Sequence, residues 1–203
     1  MPLLLGSQSK GRKFVLENAG IKFETYATST IELSKNGQIS KEQAIALVIK
    51  NSGLKMDSVL KAKDLSFYNI YITADTVVWF NDKIYGKPKD KKEAKYFLNE
   101  FSGKSHYCIS GVTVCIKEEI NKFSRKELSD ISEVKISSNK TLIDNYLKYD
   151  EYIGKAGAYA IQGKGSILID EIRGNVQNIM GLPLASILNY LSKANYFSLL
   201  EFK

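Results

Sequence analysis

Histidine occurs once in this chain of 203 residues, at His106, and cysteine twice, at Cys108 and Cys115. So small a stock of imidazole and thiolate argues against a zinc site built from Cys and His. The two cysteines stand seven residues apart in one apparent strand, an odd spacing that puts them on opposite faces, so no disulfide between them is expected. Free thiols suit a reducing, cytoplasmic setting. His106 has no Ser/Asp relay in view, so a Ser-His-Asp mechanism is not expected. With 3 prolines and no low-complexity tract, the chain offers no linker and no disordered tail. The first apolar run stops at Gly6, too early for a secretory signal. No apolar stretch approaches the about 20 residues of a membrane helix. Basic runs are missing too: Lys117, Lys122, Lys135 and Lys140 stand singly, unlike a nucleic-acid-binding arm.

What is present is an ordinary globular composition, 44% hydrophobic and 25% charged. It is enough for one domain over residues 1–203, with a core that needs no disulfide or metal. The 29 basic and 22 acidic residues leave a net charge of +7, compatible with phosphates, nucleic acid or a merely solvated surface.

The pattern along the chain alternates. Residues 3–5 read as a buried strand, residues 6–12 as a polar loop, and Phe14, Val15, Leu16 and Ala19 as a helix ending at Gly20. A second strand is expected over 21–26. Ser40 and Gln43 form a capping-box signature for a helix running toward Lys50, with a short helical piece over 57–63. Strands are expected over 68–72 and 77–80, the latter returning through Asn81-Asp82 as a hairpin with 83–85. Asp90 caps a helix over 91–101. Strands over 105–117 and 123–136 follow, then a helix over 139–149, a glycine-rich loop over 154–165 and a strand over 166–172. One long amphipathic helix is expected over 178–194, despite Pro183. Strands alternating with helices, with hairpins among them, predict an α/β fold: a mixed central sheet flanked by helices.

Four segments carry chemistry. Ser7-Gln8-Ser9-Lys10-Gly11-Arg12-Lys13 sets hydroxyls and cations at a strand-to-helix junction. A helix N-terminus attracts anions, and Arg12 can grip phosphate oxygens bidentately. A capped helix with a solvated basic first turn explains the same residues. The segment is not a Walker loop, because Arg12 stands where that motif has Lys and no Ser or Thr follows. Asp75 lies in Ala74-Asp75-Thr76, inside an otherwise apolar run, where a carboxylate must find cations, hydrogen bonds or a metal. It is either a ligand-site residue at a strand end or a turn cap. Lys87, between Gly86 and Pro88, is either a phosphate-facing cation or a turn residue. In the stretch from Lys155 to Gly165, small residues allow a backbone close approach and Gln162 can donate and accept toward a base edge. The bland reading is a flexible loop. Trp79 and the 12 tyrosines read as core and surface rather than as base-stacking platforms.

The order of these segments resembles the Maf family of nucleotide pyrophosphatases, from about Leu3 to Leu191. Residues 5–12 resemble L-A-S-x-S-P-R-R, and residues 74–78 A-D-T-V-V. Residues 86–88 and 101–106 resemble G-K-P and L-S-G-x-x-H. Residues 155–163 resemble K-A-G-A-Y-x-I-Q-G, and residues 178–183 N-V-x-G-L-P. The resemblance implies a two-lobed fold with a cleft, like that of inosine-triphosphate pyrophosphatases. It implies hydrolysis of a nucleoside triphosphate to monophosphate and pyrophosphate with Mg2+ or Mn2+. By position, Asp75 is the implied proton acceptor. Arg12, Thr76 and Gln162 match positions that set base preference, here toward dTTP and UTP. The subgroup acting on 7-methyl-GTP tends to carry glutamate at the position of Gln162. Ser7, Lys87, Lys50 and Glu32 match further site positions, with Glu32 and Asp75 the implied metal ligands. A homodimer is implied as well; neither nucleic acid nor membrane is.

The chain departs from the family pattern at Lys10 (proline in the family), Gly11 (arginine) and Ile31 (aspartate). Residues 46–51 depart from R-L-A-x-x-K-A. The other functions weighed are a purine triphosphate pyrophosphatase and a nucleic-acid-binding or cell-division regulatory protein.

Overall fold

The computed structural model describes residues 3–33, 38–62, 67–119 and 122–203. Among these, seven strands form one mixed sheet in the order β2-β1-β3-β5-β6-β7, with β4 paired to β3 outside that path. The strands are β1 (Leu3–Leu5), β2 (Phe23–Thr25), β3 (Ile70–Phe80), β4 (Lys83–Tyr85), β5 (Ser105–Glu119), β6 (Lys122–Ile136) and β7 (Ile169–Arg173). The helices are α1 (Lys10–Asn18), α2 (Lys41–Leu60), α3 (Lys91–Phe101), α4 (Lys140–Tyr146), α5 (Val176–Ile179) and α6 (Leu184–Lys193). The α/β class expected from the alternation is the one observed. Strand β1 runs parallel to both β2 and β3, whereas β3, β5, β6 and β7 are joined antiparallel.

The central strand β3 shows why the site lies where it does. One edge pairs with β5 from Ile70 to Trp79. The other is shared: β1 covers Ile70 to Ile72, and β4 covers Val78 to Phe80. Residues 73–77 lie between these two pairings, so the sheet has a notch at its centre, with Asp75 in the middle. Strand period two then sorts the side chains. Leu3, Leu5, Ile70, Ile72 and Ala74 pack with α1 and α6 on one face. Tyr71 and Val77 pack on the other face, under α2.

Helix α2 opens on the capping box expected at Ser40 and Gln43. It then runs unbroken to Leu60, where the sequence pattern had predicted a stop near Lys50 and a separate piece over 57–63; residue 63 itself lies outside the described residues. The helix continues because its apolar positions, Ala44, Val48, Met56 and Val59, stay on one buried stripe. That stripe presses onto β5 at Gly111, where an added Cβ would lie 2.4 Å from the Ile49 nitrogen and 2.6 Å from the Val48 carbonyl oxygen.

The long helix predicted over 178–194 is two helices. Gly181 has φ +97°, and Pro183 has no N–H to donate, so the chain turns between α5 and α6. The strand predicted over 166–172 begins only at Ile169, where pairing to β6 starts; residues 163–168 form a 3-10 turn. Strand β2 is shorter than the predicted 21–26. The helix expected over 139–149 ends at Tyr146 and tightens into a 3-10 turn. The hairpin turn at Asn81-Asp82 stands, both residues having positive φ. Cys108 and Cys115 are buried in different clusters on opposite faces. No helix among the described residues is long and apolar enough to cross a membrane.

Gly111→Ala should destabilise the fold by about 1–3 kcal/mol, because helix backbone cannot yield to the methyl group. Gly86→Ala, whose added Cβ meets nothing within 4 Å, should change stability by less than about 0.5 kcal/mol. Chemical denaturation of both variants reads the contrast.

Candidate functional site

A cleft of about 900 Å³ opens at the notch and reaches both faces of the sheet. Its walls carry Ser7, Lys10, Arg12, Lys55, Lys87 and Lys155, with Glu32 and Asp75 among the carboxylates. The polyanion-binding character expected of residues 7–13 therefore meets Asp75, Thr76, Lys87 and Gln162 in one cavity.

Asp75 is only 2% exposed. An ionised carboxylate so deep must be paired. Helix α2 supplies the partners: Lys55 Nζ lies 2.9 Å from one oxygen, and Asn51 Nδ2 donates to the other at 3.0 Å. Lys55 also donates to the Ala74 carbonyl at 3.2 Å, on the uncovered edge of β3, and meets Glu32 at 2.8 Å. Desolvation lowers the Lys55 pKa, and the Asp75 charge pulls it back.

On the other face, Arg12 is held from three sides. Its Nε donates to the Gly181 carbonyl at 2.9 Å, and its terminal nitrogens to Ser7 Oγ at 3.0 Å and Thr76 Oγ1 at 3.4 Å. Burial lowers its pKa, offset by Asp75 and Glu32. Gly11 is required by packing, since an added Cβ would lie 2.6 Å from the Met180 carbonyl oxygen. Ser9 makes no side-chain cap bond to α1, and Ser9, Lys10 and Gly11 line the cleft. Gln162 Nε2 approaches Met180 Sδ at 3.3 Å, and Glu151 accepts from the Lys164 and Gly165 N–H groups, holding that loop.

Lys50 is not part of this assembly. It lies on the exposed side of α2 and is not among the residues lining the cleft. The residues that sequence reasoning missed are Lys55 and Asn51. A signal existed: positions 44, 48, 51, 55 and 59 follow helical spacing, so 51 and 55 are polar residues on an apolar stripe, whereas 50 points away. The premature helix end at Lys50 concealed it.

A divalent cation would find two hard oxygen donors here, Asp75 and Glu32, already converging on one ammonium group. Two carboxylates completed by phosphate oxygens and water are a Mg2+ donor set. Among the described residues, no group of three or more His, Cys, Asp or Glu comes together. The donor set thus fits a metal held jointly with a bound phosphate.

His106 stands behind the cleft wall. Its Nε2 meets Tyr159 Oη at 2.7 Å and its ring stacks on Phe101. Burial pulls its pKa down to about 3.

Clustered cations around a buried carboxylate, at an open strand edge, define an α/β protein suited to a polyphosphate ligand. The Maf-like protein family matches residues 2–194, and the chain belongs to that family. A dTTP/UTP pyrophosphatase from Clostridioides difficile (strain 630) is 35% identical, over 98% of this chain and 97% of its own. One from Thermoanaerobacter sp. (strain X514) is 35% identical, over 95% and 96%. Another, from Fusobacterium nucleatum subsp. nucleatum, is 34% identical over 96% of each chain.

Two predictions follow the burial. Lys50→Ala should leave stability within about 0.5 kcal/mol of wild type. Lys55→Ala should cost about 3 kcal/mol, because it strips a cation from a buried carboxylate; equal denaturation midpoints for the two would contradict the placement of Lys55. For His106, the unfolded chain takes up a proton near pH 6.5 and the folded chain only near pH 3. Stability is therefore lost as pH falls between these values, by about 2 kcal/mol at pH 5. His106→Phe should narrow the stability difference between pH 7.5 and pH 5 by about that amount; an unchanged difference would count against a buried, uncharged His106.

Proposed function

We propose that this protein hydrolyses dTTP and UTP to the nucleoside monophosphate and pyrophosphate. The single observation that carries the reading is the buried Asp75, set in the notch of β3 with Lys55, Arg12 and Lys87 around the same cleft. The relatives named dTTP/UTP pyrophosphatase, matched over nearly their whole length, support the substrate class.

A triphosphate carries several negative charges that must be offset when it leaves water. Lys87, Lys10 and Lys155 stand at the cleft wall to meet them, and Arg12, pre-positioned by Gly181 and Ser7, adds a planar fork. Asp75 accepts a proton from the attacking water, which then opens the anhydride between the first and second phosphates and releases pyrophosphate. Lys55 keeps Asp75 oriented before the step. A Mg2+ or Mn2+ held by Asp75 and Glu32 with phosphate oxygens would neutralise charge on the reacting phosphates. Gln162, Arg12 and Thr76 border the same cavity and suit the base edge, where an amide reads both donor and acceptor groups. Two buried free thiols accord with a cytoplasmic setting.

Purified protein with Mg2+ or Mn2+ should release pyrophosphate from dTTP and UTP in preference to ITP and XTP. Asp75→Asn should lower kcat by about a hundredfold or more. Preference for a purine triphosphate would overturn the substrate, and full activity of the variant would overturn the role of Asp75.

A further inference from the structure

Helix α2 interrupts its apolar stripe with a primary amide. Asn51 is 0% exposed, at a helical position where leucine would pack and asparagine is a poor helix former. Burying an amide is unfavourable unless all its groups are paired. Here they are. Nδ2 donates to Asp75 Oδ2 at 3.0 Å and to the Leu33 carbonyl at 3.4 Å, while Oδ1 accepts the Leu33 N–H at 2.8 Å. The orientation is unambiguous. A flipped amide would set its oxygen against the Asp75 carboxylate and the Leu33 carbonyl, and its NH2 against an N–H.

The amide therefore joins two parts of the cleft. Asp75 belongs to β3, in the middle of the sheet. Leu33 follows Glu32 on a segment outside any helix or strand. Asn51 and Lys55, one helical turn apart, each take one oxygen of Asp75 and then reach this segment. Lys55 holds it by the Glu32 side chain at 2.8 Å, and Asn51 by both main-chain groups of Leu33. A side-chain ion pair alone leaves the backbone free to swing; the amide removes that freedom.

We propose that Asn51 is a positioning residue that docks the Glu32-Leu33 segment onto Asp75 and so sets the separation of the two carboxylates. The proposal rests on the hydrolytic reading above. Asn51 does not line the cleft and reaches the reaction only through Asp75 and the Glu32-Leu33 segment. Its loss acts through Glu32 and Asp75, so turnover suffers while nucleotide binding, carried by Arg12, Lys87 and Gln162, does not.

The test is Asn51→Leu, which keeps the branched side-chain shape and favours the helix. Hydrogen exchange of the Leu33 amide should accelerate by about tenfold or more beyond whatever loss of global stability denaturation records. The kcat for dTTP should fall about 10- to 100-fold, with KM within about threefold of wild type. Unchanged protection at Leu33 overturns the docking. A deprotected Leu33 with unchanged kcat overturns the link to turnover. Should Asn51→Leu not fold, Asn51→Ser is measured for the same two quantities; failure of both to fold assigns the amide to stability and overturns the proposal. A wild-type protein inactive on dTTP and UTP refutes the hydrolytic reading instead, and exchange at Leu33 then decides the docking alone.

Discussion

A carboxylate buried in the centre of a sheet has to be matched by charge, and much of this structure serves that requirement. Asp75 lies between two strand pairings that stop short of it, and the cleft reaches it through that notch. From above, α2 brings an ammonium and an amide to its two oxygens. That delivery needs a helix of 20 residues lying close on β5, and the contact at Gly111 permits the approach. Removing Lys55 strips the nearest cation from a carboxylate in a low-dielectric interior, which is far more unfavourable than the loss of a surface ion pair.

The notch also explains how one cavity combines two chemistries. Period two sends Asp75 to the α2 face and Thr76 to the opposite face. Thr76 lies beside Arg12 and also contacts Ser110 Oγ at 3.0 Å. In an unbroken sheet these neighbours would serve separate compartments. Because pairing with β1 stops at Ile72 and pairing with β4 starts only at Val78, the gap opens to both faces. Asp75, Lys55 and Glu32 then lie on one side, with Arg12, Gly181 and Gln162 on the other. The turn at Gly181 and Pro183 contributes as well: a straight helix there would carry the carbonyl that orients Arg12 into its own hydrogen-bond ladder.

The positive charge is thereby divided. Arg12 and Lys55 are buried and held in hydrogen bonds, so their positions are set before any ligand arrives. Lys10 and Lys87 are exposed at the cleft wall. The inner cations are fixed by hydrogen bonds, and the outer ones stand in solvent.

Much of this was legible in the residues. Apolar periodicity, the capping box at Ser40 and the turn at Asn81-Asp82 determined most elements, because each depends on neighbours close along the chain. Asp75 stood out as a carboxylate in an apolar run, and the ordered motifs around Arg12, Lys87 and Gln162 tied it to phosphate chemistry. Helical spacing sets Asn51 and Lys55 on the buried stripe of α2 and Lys50 off it, but tertiary structure alone decided where α2 ends, that this stripe lies over Asp75, and that the helix over 178–194 breaks to free the Gly181 carbonyl for Arg12. These outcomes depend on which side of a helix meets the sheet and on contacts between residues up to 169 apart in the chain, and local propensity carries no information about either.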